Sequence, residues 1–152
     1  GEDAEQAAVI DWVHWQWPVI EPLVYHCRNQ GIRGSKGQQT YYGEKYRRLG
    51  VRKGIPDLIV DVPTRRFHGL RLEMKTRSGS LEQEQREIHR QMMAQGYLVI
   101  TCRGAEVAIF VLKHYLNEVC RRCGVWHPTG ECYGAQTVQS SSEEAGRPSA
   151  AQ

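Results

Sequence analysis

Three side chains carry the strongest chemical signal. Asp57 follows Pro56 at the start of an apolar run, and Glu73 and Lys75 lie two positions apart in the next one. Two apart on a strand means one shared face. If the two runs pair as neighbouring strands, the carboxylates of Asp57 and Glu73 converge. Carboxylates a few ångströms apart repel and raise each other's pKa. Mg²⁺ or Mn²⁺ relieves that repulsion and prefers oxygen ligands. Such a cation polarises a phosphodiester and acidifies a water, and an ammonium beside it offsets charge growing on the phosphorus centre. The bare pattern is short, however. A strand-opening Asp and a surface Glu–Lys pair would give the same letters.

A second group sits near the end of the chain. Cys120-x2-Cys123-x3-His127-x4-Cys132 supplies three thiols and one imidazole, the complement of a closed zinc site. The spacing is one residue shorter than that of zinc knuckles. Arg121, Arg122 and Trp126 lie between the ligands, where charge and stacking suit nucleic acid. The alternative is a helix end followed by a tail of reduced thiols. Cys27 and Cys102 lie in apolar runs and read as buried thiols.

Around these groups the composition is that of one globular domain: 152 residues, 40 % hydrophobic, 24 % charged, net charge +3. No apolar run approaches the roughly 18–20 residues that cross a bilayer, and the acidic start does not read as a signal peptide. A cytoplasmic protein without a membrane partner is expected. Residues 28–77 hold 13 of the 20 basic residues but only 4 of the 17 acidic ones. A basic field of this kind suits a polyanion, although a solvated basic surface has the same composition.

The elements that must position these residues follow from periodicity. A helix is expected over Asp3–Trp17 with Asp3 as N-cap, ended or kinked by Pro18. After Glu21, "EPLVYHC" has strand composition. Asn29–Gln38 is a Gly-rich loop, and a short polar helix spans roughly Gln39–Leu49. Leu58–Val62 and Leu70–Thr76 form an antiparallel hairpin. Ser80 caps a helix over Leu81–Gln95 with Gly96 beyond it; Tyr97–Cys102 is an apolar strand. Gly104 opens a last helix reaching toward Val119. The class is α/β, a mixed sheet flanked by helices. Residues 135–152 are polar and of low complexity, and read as a disordered tail.

The ordered pieces Gly50-Val51…Gly54-Ile55-Pro56-Asp57, His68-Gly69-Leu70…Glu73-Met74-Lys75, Gly79…Glu84-Gln85, Gly96-Tyr97 and Cys102-Arg103-Gly104 resemble the virus-type replication-repair nuclease (VRR-NUC) family. That family falls within the PD-(D/E)XK restriction-endonuclease-like superfamily, and the likeness is greatest to its stand-alone phage and prophage members. It runs from about Glu5 to Leu116, so residues 1–118 are read as the nuclease domain and 119–134 as a zinc-binding extension. The resemblance implies that Asp57, Glu73 and the backbone carbonyl of Met74 ligate the metal and that Lys75 serves the attacking water. Glu5, matching the family's first-helix glutamate, would complete the metal site; otherwise it is an exposed acid favoured by the helix dipole. Gln85 would hold Lys75 or a nucleotide, or else lie on a solvated helix face. Where relatives carry an "IPNGG"-like turn, this chain has Cys27-Arg28-Asn29-Gln30-Gly31, which keeps Asn29 and Gly31 but lacks the proline.

DNA contacts are expected from Asn29, Arg33, Lys36, Arg52, Lys53 and Arg77. Gly50 and Gly54 would let backbone approach a phosphate closely. Phosphate contacts hold DNA in register without reading bases, so selection of DNA structure rather than sequence is expected. His26 reads as a site residue or as a satisfied strand-end histidine. Trp12, Trp15 and Trp17 read as core or subunit interface, and a homodimer suits a branched substrate. The function expected is a Mg²⁺- or Mn²⁺-dependent endonuclease acting on branched, flapped or Holliday-junction-like DNA in phage or prophage replication and repair. Two competitors are a non-catalytic nucleic-acid-binding module and a zinc-organised interaction protein.

Overall fold

The computed structural model describes residues 1–27 and 43–132. The Gly-rich loop with Asn29, Arg33 and Lys36, the first half of the short polar helix and the polar tail lie outside them; residues 43–48 are helical. Helix α1 (Glu2–Gln16) leads through a 3-10 segment (Pro18–Leu23) into β1 (Val24–His26). Then follow β2 (Leu58–Val60), β3 (Leu70–Lys75), α2 (Gln83–Ala94), β4 (Leu98–Arg103) and α3 (Ala105–Tyr115).

The four strands stand in the order β1-β2-β3-β4. β1 and β2 pair antiparallel, as do β2 and β3, in register Leu58↔Leu72 and Val60↔Leu70. β3 and β4 pair parallel, Glu73 opposite Thr101, with α2 as the crossover. The expected antiparallel hairpin and mixed α/β sheet are therefore present. Alternation along β3 assigns its two faces. Leu70, Leu72 and Met74 enter the core with Val9 and Val13 of α1 and Ala108 and Leu112 of α3. Arg71, Glu73 and Lys75 point the other way. Extending the hairpin register one step past Leu58↔Leu72 brings Asp57 opposite Glu73, on that same second face.

Several boundaries differ from the sequence expectation. Gly1, not Asp3, caps α1, leaving Glu2, Asp3 and Glu5 in its first turn where acids oppose the helix dipole. The segment after Glu21 stays 3-10 through Leu23, because Pro22 has no N–H for a strand ladder, and only three residues join the sheet. Ser80 does not cap α2. Glu82 does, in a capping box with Gln85. α3 stops at Tyr115, and Val119 instead bridges to Trp126. Trp17 is buried and Trp12 packs against the core, while Trp15 is 77 % exposed. Cys102 is buried, which pushes its thiol up to about 11; Cys27 is only partly covered.

Candidate active site

Asp57 and Glu73 meet where the hairpin and the crossover helix converge. The Met74 N–H donates to Asp57 Oδ2 at 2.8 Å, so one acid is bound to the backbone of the strand that carries the other. On the far side, His26 Nδ1 lies 2.8 Å from the Asp57 carbonyl oxygen, which also accepts the Cys27 N–H. His26 thus steadies the backbone at Asp57. Burial pushes the Asp57 carboxyl above its ordinary range against the pull of the Met74 amide and Lys75, and the charge of Glu2 adds to the rise.

Glu73 is 1 % exposed. Its Oε1 takes Lys75 Nζ at 2.9 Å and the Gln85 Nε2 donor at 2.5 Å. Its Oε2 has no hydrogen-bond partner, and His89 Nε2, equally without one, lies 3.7 Å from it. Burial raises the Glu73 carboxyl despite the Lys75 contact, and the nearby Asp57 charge raises it further. Burial lowers the His89 imidazole, and Lys75 lowers it more, so the ring is held neutral. For Lys75, burial opposes the charge, but the bond and attraction to Glu73 outweigh it and hold the ammonium above its ordinary range.

Gln85 is oriented by the helix it begins. The Glu82 N–H donates to Gln85 Oε1 at 2.9 Å, which closes the capping box. That bond fixes which end of the amide is the acceptor and turns the –NH₂ toward Glu73. Gln85 therefore holds Glu73, not Lys75. The loop before Asp57 is seated against the same helix end: Gly54 has φ +81°, and a Cβ there would lie 2.7 Å from the Glu84 carbonyl oxygen. Its close approach in this structure is to protein backbone. Gly50, φ +92°, faces open space and simply turns the chain.

Glu5 has another partner. Its Oε2 accepts the Ala105 N–H at 2.6 Å, capping α3 with an acid at the positive end of its dipole. Among the described residues, no group of three acids, histidines or cysteines closes around Asp57 and Glu73. Glu2, in the same first turn of α1, lies on the side of the site. It accepts the Thr76 N–H at 3.2 Å just beyond β3, and its charge acts on both Asp57 and Lys75.

Sequence reasoning passed over Glu2, His89 and Arg103. The signal for His89 was available, since it sits four residues after Gln85 on the same helix face. Arg103 donates to the carbonyls of Thr76, Arg77 and Gly79, and so clamps the turn that follows Lys75. Of the expected DNA-contacting cations, Arg52, Lys53 and Arg77 are exposed, with Arg52 donating to its own loop at the Arg47 carbonyl.

Two converging, raised carboxylates and an orphaned buried oxygen fit a divalent cation: its charge would relieve both the repulsion and the missing partner. A mixed four-stranded sheet with an acid at the hairpin mouth and Glu-x-Lys on the next strand defines the class, a restriction-endonuclease-like α/β domain. The VRR-NUC domain model matches residues 2–106, and the chain belongs to that family, whose domain is a nuclease-type domain. A solved VRR-NUC domain protein superposes with a TM-score of 0.61 at 24 % identity, covering 76 % of this chain and 88 % of its own. Among curated proteins nothing matches.

Proposed function

We propose that the protein is a divalent-metal-dependent DNA endonuclease in which Asp57, Glu73 and the Met74 carbonyl hold Mg²⁺ or Mn²⁺. The observation that carries this reading is the buried Glu73 carboxylate, with one oxygen committed to Lys75 and Gln85 and the other unpartnered beside a second raised carboxylate. When bound, the cation supplies Lewis acidity toward a phosphodiester oxygen and lowers the pKa of a water. Lys75, held against Glu73 Oε1, would serve the attacking water and offer positive charge to the phosphate. Gln85 holds Glu73 Oε1 in place, and neutral His89 closes the inner wall without competing for the negative charge. Glu2 adds a third acid from α1 at longer range; Glu5, expected in that role, is engaged by α3.

The exposed Arg52, Lys53 and Arg77, with Asn29, Arg33 and Lys36, would grip phosphates, which favours substrates chosen by shape: branched, flapped or Holliday-junction-like DNA. A homodimer would present two cutting centres to such a branch. Work in phage or prophage replication or repair, within a cytoplasm, completes the reading, and the five unbridged cysteines are in keeping with a reducing compartment.

The test is cleavage of labelled four-way, flap, nicked and linear DNA in Mn²⁺ or Mg²⁺, with EDTA as control and mass by light scattering alongside. Asp57→Asn keeps an oxygen for the Met74 amide while deleting the charge. Losing about 4 kcal/mol of transition-state stabilisation corresponds to a roughly 1,000-fold slower reaction. A folded wild type that binds DNA but cuts nothing in either metal would make the protein a binding module.

A further inference from the structure

The family match ends at residue 106, yet the chain continues into an ordered element whose sequence holds four more ligating side chains. Cys120, Cys123, His127 and Cys132 bring one ligand atom each to within 4.8 Å of one another, and no other described group does so. Cys123 Sγ and His127 Nε2 lie 3.0 Å apart. Tetrahedral zinc, with Zn–S about 2.3 Å and Zn–N about 2.1 Å, spaces its ligands roughly 3.6–3.8 Å apart. A small adjustment of four half-exposed side chains reaches that geometry.

Cys120 and Cys123 flank a tight turn. The turn is closed by the Gly124 N–H on the Cys120 carbonyl at 2.7 Å and the Cys120 N–H on the Val125 carbonyl at 3.0 Å. Gly124 has φ +73°, and a Cβ there would strike Ile20 at 2.6 Å, so the element is seated tightly on the domain rather than trailing from it.

We propose that Cys120, Cys123, His127 and Cys132 bind one Zn²⁺, forming a closed structural site that fastens this extension to the far end of α1. Four protein ligands leave no open position, so the ion takes no part in cleavage. The fastening is specific. Arg121 donates to the Gln16 carbonyl at 2.9 Å, and its guanidinium lies 4.5 Å over the Trp17 ring. Trp126 packs against the core. Arg121 and Trp126 therefore both make contacts within the protein. The opposite end of α1 carries Glu2, which meets Thr76 beside the acidic site. Zinc thus anchors one end of a helix whose other end reaches the carboxylates. None of this depends on the nuclease reading.

The test uses the full chain, purified without chelator from zinc-supplemented cells. Elemental analysis should find one zinc per chain, released as thiols are modified, and Co²⁺ exchange should give intense thiolate charge-transfer absorption. Cys132→Ser and Cys123→Ser should each lose the zinc and the Co²⁺ band. A zinc chelator should lower the wild-type Tm by several degrees and leave that of Cys132→Ser unmoved. If Cys123→Ser does not fold, the Cys132→Ser comparison still decides. Zinc-free folded protein with its thiols free after zinc addition, a Cys120–Cys123 disulfide, or one zinc per chain retained in both variants would each overturn the proposal.

Discussion

The acidic centre and the cysteine–histidine element solve opposite problems. At the first, two carboxylates are pushed above their ordinary range and a buried oxygen of Glu73 has no partner. At the second, three thiols and an imidazole converge, and a glycine seats the turn on the core. The first site is open in chemistry and strained in charge; the second is closed. Destabilised groups gather where something must bind and react, whereas a structural metal site is one in which every donor is spoken for. The difference teaches that the two sites should fail differently, one through turnover and the other through folding.

The largest effect sharpens that contrast. Asp57→Asn should slow cleavage about 1,000-fold while shifting Tm little, since the amide oxygen still caps the Met74 N–H. Zinc removal should do the reverse, lowering Tm by several degrees and reducing cleavage only as far as α1 loosens. Equal loss of activity from both changes in protein that remains folded would break the comparison.

Next in size is the seat of the loop that delivers Asp57. Gly54→Ala places a methyl 2.7 Å from backbone in a left-handed conformation, and about 2–3 kcal/mol of destabilisation is expected. Gly50→Ala has the same backbone problem but open space, and should cost about 1 kcal/mol. Urea unfolding of the pair measures the gap. Equal costs would mean that Gly54 is only a turn residue, and that α2 does not position the acidic centre through it.

Much of the acidic centre was legible because strand alternation is strict. Leu70, Leu72 and Met74 on one side leave Glu73 and Lys75 no choice of face, and the hairpin then places Asp57. Less legible were the contacts that depend on how helices end. In "SGSLEQEQ" the sequence favours Ser80 as the cap, whereas the structure puts Glu82 there, with Gln85 held on Glu73 and Gly54 against the helix start. The motif also could not show that Glu2 meets Thr76 and Glu5 meets Ala105, because both acids stand in the first turn of α1 and those partners lie far away in sequence. At the cysteine element the spacing named the four side chains that converge, but not the contacts of Arg121 and Trp126 with the rest of the protein.

Gln85 gives a finer test of how the acidic centre is held. Gln85→Glu preserves a capping box, since either residue serves at the third position of the helix, so stability should be nearly unchanged. It replaces the donor facing Glu73 Oε1 with another carboxylate. Cleavage should fall about tenfold, with partial recovery at higher Mn²⁺ as the cation offsets the added charge. Full activity at all metal concentrations would show that the Gln85–Glu73 bond does not matter to the reaction.

The smallest effect separates the two acids of α1. Glu5→Ala removes the acceptor at the start of α3, a loss of about 1 kcal/mol by analogy with helix caps, and should leave the Mn²⁺ dependence of cleavage where it was. Glu2→Ala removes a charge that acts on Asp57 and Lys75, and should raise the Mn²⁺ concentration for half-maximal cleavage several-fold, with little change in Tm. Both quantities come from one metal titration and one melt per variant. If the roles were exchanged, with Glu5→Ala shifting the metal requirement and Glu2→Ala silent, Glu5 would be restored to the metal site, as the resemblance to the family implies. The Ala105 contact would then be one that metal binding must break.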